Sequence, residues 1–165
     1  MTSPSIAIWL LAGLIAIPSV AAAHPPDGHD SRSSVSPISE AAKPVLAVVD
    51  EFSSTLKAGD LKRAAALLSE DVLILESGSA ERSREEYLDH HAAEDAAFLK
   101  NARIEIKRRT VHVVGPIAWV GTESELSSTR DGAPLTLLST ETTVLARTDG
   151  AWRIVHIHWS SHPKR

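Results

Sequence analysis

The chain has 165 residues, 43% of them hydrophobic, and a formal net charge of −4 from 17 basic and 21 acidic side chains. That length builds one domain with its own core and excludes two, and the mild acidity argues against nucleic acid as a partner. Cysteine is absent, which excludes disulfide bracing and also the lipid anchor of bacterial lipoproteins, whose cut site needs that residue.

Residues 6–17 (IAIWLLAGLIAI) form an unbroken apolar run that Pro18 ends, and small residues follow up to Ala23. The run is about a dozen residues long, whereas a helix needs about 20 to cross a bilayer. Residues 1–23 therefore read as a secretory signal peptide cut after Ala23, although residues 1–5 lack the usual Lys or Arg. An uncleaved anchor is the alternative. The mature chain is expected to be periplasmic or secreted, with no stable membrane insertion after cleavage.

Residues 24–43 are rich in Pro, Ser and charge with no apolar period, the composition of a flexible leader. Cleavage would leave His24 first, its free α-amino group beside the imidazole and His29 nearby, a set able to chelate Cu(II). A leader that merely contains histidine accounts for the same residues. The folded domain is expected over residues 44–165.

Pro44 suits a first helical turn, and Val45, Val48, Val49, Phe52 and Leu56 follow at helical spacing up to Gly59. Asp60 caps a second helix carrying Leu61, Ala64, Ala65 and Leu68. Residues 71–76 (DVLILE) read as a strand. Ser83 and Glu86 make a capping box that opens a third helix over residues 84–100. Four strands are then expected, at 102–114, 117–128, 134–147 and 151–161. Gly115-Pro116, Arg130-Asp131-Gly132 and Thr148-Asp149-Gly150 separate them as turns. The order predicts an α+β domain with an antiparallel meander curled over helices.

Three stretches carry a family resemblance. They are Ala58-Gly59-Asp60 with 64–72 (AAALLSEDV), Ile117-Ala118-Trp119-Val120, and the ending 149–160 (DGAWRIVHIHWS). Together with the element order they resemble the nuclear transport factor 2-like superfamily, whose relatives include SnoaL-like polyketide cyclases, ketosteroid isomerase and the calmodulin-dependent kinase association domain. The resemblance implies a cystatin-like cone, a curved antiparallel sheet wrapped around a long helix with two preceding helices. It also implies a pocket open at one end and a homodimer through the outer sheet face. It assigns no reaction, because this fold hosts isomerases, cyclases, dehydratases and non-catalytic domains.

On a wheel of about 100° per residue, Leu88, Ala92 and Leu99 set the buried side of the third helix, with Tyr87 and Phe98 flanking. His91 and Asp95 fall inside that sector, one turn apart. They are the candidate catalytic pair, Asp95 holding one His91 nitrogen and leaving the other for proton transfer. A purely structural pair, or a shifted helix phase that exposes both, would carry the same residues. Candidate ligand contacts are Glu76, Tyr87, Trp119, Glu141 and His158. Counting by twos puts His156 and His158 on one strand face with Trp152 and Ile154, and Val155, Ile157 and Trp159 on the other. Two histidines fall short of the three or four ligands zinc takes, so no metal site is assigned, and no motif calls for a cofactor. Two functions remain open. One is a pocket protein that binds a small partly apolar molecule and could transform it by acid–base chemistry. The other is a non-enzymatic periplasmic domain that dimerises or binds a partner or a metal.

Overall fold

The structure, a computed structural model, describes residues 39–130 and 132–165. The expected signal, its cut after Ala23, and His24 and His29 lie outside the described residues. Among the described residues the first element is a 3₁₀ turn, Glu40–Ala42, whose Ala42 is buried just ahead of Pro44.

Helix α1 (Lys43–Ala58) buries Val45, Val49, Phe52 and Leu56 along one stripe. Gly59 ends it with φ 75°, a left-handed conformation that suits a residue without Cβ. The Gly59 and Asp60 N–H groups donate to the Leu56 and Thr55 carbonyls, closing the last turn. The Asp60 carboxylate then accepts from the Arg63 N–H at 3.1 Å and starts α2 (Leu61–Leu67). Strands β1 (Leu68–Glu76) and β2 (Ser79–Glu81) form a hairpin. Ser83 opens α3 (Arg84–Asp89) by accepting from the Glu86 N–H at 3.0 Å. Glu86 reaches back to the Arg82 N–H at 2.7 Å, one residue earlier than a standard capping box.

The single helix expected over 84–100 is two helices. His90 leaves the helical region (φ −111°, ψ −84°), and a new helix, α4 (Ala92–Asn101), starts after His91. The long helix of the fold is therefore α1, packed against α2, α4 and the last strand. Strands β3 (Arg103–Val114), β4 (Ile117–Arg130), β5 (Ala133–Thr148) and β6 (Ala151–Pro163) follow within a few residues of their expected bounds. They form the antiparallel meander. The complete sheet has six strands in the order β2-β1-β6-β5-β4-β3, with β1 parallel to β6.

Two extra residues decide which side chains face inward. In β3, Ile106 pairs with Ser124 and Arg108 with Glu123, so Lys107 is unmatched. In β6, Ile154 pairs with Leu145 and His156 with Val144, so Val155 is unmatched. Each bulge switches the face of every later residue on its strand. Trp152, Ile154, Ile157 and Trp159 consequently share the inner face, and the two-fold count through Val155 misassigned Ile157 and Trp159. The core is built on one cross-strand row of Ile74, Ile157, Thr143, Val120 and Val111. Ile74, Ile157, Thr143 and Val120 are each no more than 1% exposed. Burying each such aliphatic side chain contributes about 1.5–3 kcal/mol.

Candidate functional site

Two residues beyond the core row along each strand, the inner face becomes polar. Glu76 of β1 pairs with Trp159 of β6, Trp159 with Glu141 of β5, Glu141 with Thr122 of β4, and Thr122 with Arg109 of β3. Five strands thus contribute one continuous row. The next row holds Ser161, Ser139, Ser124 and Ile106, and the one after it Pro163, Leu137, Leu126 and Ile104. A cavity of about 370 Å³ lies over these rows, with α1 contributing Phe52 and Leu56, and α4 contributing Asp95, Phe98 and Leu99. That volume falls in the range of small-molecule sites.

At one end of the cavity, Asp95 accepts from the Tyr87 hydroxyl at 2.8 Å. Tyr87 is 1% exposed and its ring lies 6.5 Å from that of Trp159. The Trp159 indole N–H donates to Glu141 at 2.8 Å, and the Thr143 hydroxyl donates to the other Glu141 oxygen at 2.6 Å. Glu141 therefore spends both oxygens on orienting its neighbours, while Asp95 has one oxygen beyond the Tyr87 bond.

Burial raises the Asp95 pKa; the Tyr87 hydrogen bond and the nearby His91 oppose that rise. Burial also raises Glu76, with Asp95's charge adding to it. The Tyr87 phenol is pushed up by burial and then by Asp95, so it stays a proton donor. Carboxyls whose pKa is moved upward by burial in a cavity are candidates for proton exchange.

Glu76, Asp95 and Glu141 line the cavity. The expected pairing of His91 with Asp95 is not what the structure shows. The helix breaks at His90, and the His91 side chain meets Glu81, its Nδ1 hydrogen-bonded to that carboxylate. Glu81 is 3% exposed, and this hydrogen bond is the main cause raising the His91 pKa. His91 does not line the cavity; it flanks Asp95 from behind. Tyr87 holds Asp95 from within the core. Trp119 and His158 face away from the cavity, because β4 points Ala118, Val120 and Thr122 inward and the Val155 bulge turns His156 and His158 outward. Trp119 stacks on His112 with ring centroids 4.5 Å apart. The sequence reading missed Arg109, Thr122 and Glu81. For Arg109 no sequence signal existed, since the Lys107 bulge alone decides whether Arg108 or Arg109 faces inward.

Residues 45–163 match the family model described as the SnoaL-like domain. A candidate ketosteroid isomerase from Shewanella frigidimarina is 35% identical with a TM-score of 0.67, over 69% of this chain and 92% of its own. A candidate calcium/calmodulin-dependent protein kinase II association domain from Xanthomonas campestris is 25% identical with a TM-score of 0.63, over 78% of this chain and 93% of its own. A protein from Novosphingobium aromaticivorans, NTF2-like with a cystatin-like fold, shares the fold at 19% identity and a TM-score of 0.59, over 71% of this chain and 79% of its own. No curated protein matches. On the extent of the family match the chain belongs to the SnoaL-like domain family, and it shares the cystatin-like fold.

Proposed function

We propose that the chain binds a small, partly apolar molecule in this cavity and moves a proton on it by acid–base chemistry. Asp95 and Glu76 are the transferring carboxyls, and Tyr87 positions Asp95. The observation that carries the reading is the pair of carboxyls with burial-raised pKa in a cavity that also presents Phe52, Phe98, Ile104 and Leu126. The similarity to a candidate isomerase supports the same class of chemistry. Small cyclic ketones incubated with the protein in deuterium oxide test it, with exchange next to the carbonyl followed by NMR. Exchange faster than in buffer is expected. A whole panel exchanging at the buffer rate would count against proton chemistry.

The outer sheet face supports a second reading, self-association. Leu73, His156, Val144, Trp119 and His112 form one row there, and Trp119 is 40% exposed. An association domain among the similar structures points the same way. We infer a homodimer through this face. Trp119→Lys would place a charge in the centre of the row, so sedimentation should show the wild type as a dimer and the variant as a monomer. Equal sedimentation of the two would remove Trp119 from any interface.

Export belongs to the same proposal. The secreted chain is expected to begin at His24, which intact-mass spectrometry reads directly; a chain still carrying Met1 would overturn it.

A further inference from the structure

Among the described residues, two buried side-chain polar atoms have no hydrogen-bond partner, Arg109 Nε and Thr122 Oγ1. They belong to residues paired across β3 and β4 in the polar row, and both residues line the cavity. Thr122 is 8% exposed. Leaving one such group unpaired is unfavourable, and native proteins seldom do so. Two side by side in a cavity wall mark a place where a ligand atom supplies what the protein does not.

The chemistry of that atom follows from the donors. Arg109 Nη1 donates to Asp50 at 2.6 Å, which fixes the guanidinium from its outer side. The edge carrying Nε is left over, and it can grip a carboxylate with two parallel hydrogen bonds. Guanidinium only donates, and a threonine hydroxyl can donate beside it. The neighbouring acceptor, Glu141, is already engaged by Thr143 and Trp159. In the next row Ile106 stands beside Ser124, Ser139 and Ser161, and the row after it is apolar, with Ile104, Leu126 and Leu137.

We propose that Arg109 and Thr122 hold the carboxylate of a small monocarboxylic acid whose apolar body lies along Ile104, Ile106, Leu126 and Leu137. The inference rests on the reading that this cavity binds a ligand, and is independent of the proton chemistry. Engagement turns the Nε edge of Arg109 toward the cavity while Asp50 keeps its hold on Nη1.

Calorimetric titration of the exported chain with hexanoate, octanoate and decanoate, and with the matching primary alcohols, tests it. The acids should bind, and the alcohols should bind on the order of tenfold weaker. Arg109→Gln should reduce the acids to the level of the alcohols. Thr122→Val, which removes the unpaired hydroxyl at nearly constant volume, should weaken acid binding while raising the melting temperature. Asp50→Asn, at an exposed position, should tighten acid binding and leave the alcohols unchanged. These last two variants decide the matter even if Arg109→Gln fails to fold. Equal binding of acids and alcohols, or an acid preference that survives both Arg109→Gln and Thr122→Val, overturns the subsite and leaves the pocket reading standing. Absence of binding by every acid and alcohol overturns both.

Discussion

Asp95→Asn is expected to lower the proton-exchange rate by about 10²–10⁴-fold, the usual contribution of a positioned acid or base, while the fold persists. Asparagine keeps the size of the side chain and an oxygen that accepts from the Tyr87 hydroxyl. What it loses is the exchangeable proton. Stability should move the other way. A carboxyl whose folded pKa lies above its ordinary value near 3.8 contributes stability that is complete below that value. That contribution is lost as pH rises through the raised folded value. Above that raised value the wild type carries an unfavourable buried charge that the variant lacks, and urea denaturation there should find the variant at least as stable. An unchanged exchange rate would remove Asp95 from the chemistry, and a large fall in stability would show that its charge holds the fold.

His91→Ala is expected to destabilise the domain by about 2–3 kcal/mol at neutral pH, because it strands the buried Glu81 carboxylate. Breaking a fully buried pair costs about 3–5 kcal/mol, but His91 is itself 42% exposed and its removal lets water in. Against a total stability of about 5–15 kcal/mol this is a large fraction. Glu81→Gln added to His91→Ala should recover part of the loss, since no charge is then left unpaired. The pH dependence has a defined sign. Glu81 raises the His91 pKa, so the pair's contribution is complete below the ordinary histidine value and falls as pH rises through the raised one. Urea denaturation at mildly acidic and mildly alkaline pH reads both effects. A loss below about 0.5 kcal/mol, the range of ordinary surface changes, would mean that Glu81 finds water without its partner.

The elements were legible because their punctuation is local. Gly59, Asp60, Ser83 and the Gly-containing turns act within a few residues, and each stands where the sequence put it. The site was legible only in part, because it depends on phase. Glu76 and Asp95 line the cavity, and so does Glu141. Trp119 and His158 do not, and Trp159 does. Lys107 and Val155 carry no glycine or proline to announce a bulge, so a count by twos passes through them and comes out on the wrong face. The break at His90 and His91 was hidden for a similar reason. Leu88, Ala92 and Leu99 continue a helical period across it, while Glu81, the partner that His91 meets there, lies ten residues away on another element.

The parallel pairing of β1 with β6 has a consequence for the order of assembly. His156 donates to the Leu73 carbonyl across a sequence separation of 83 residues, and Glu76 meets Trp159 in the same ladder. The hairpins from β3 to β6 can close one after another from neighbouring segments. Strand β1 must wait for β6, the last strand in chain order among the described residues. Contacts of such separation slow folding. During that wait Val72 and Ile74, both buried in the finished domain, stand on an unpaired edge that other chains can capture. The acidic end of the cavity therefore depends on a ladder of long sequence separation, and a chain without β6 would have neither the ladder nor the site.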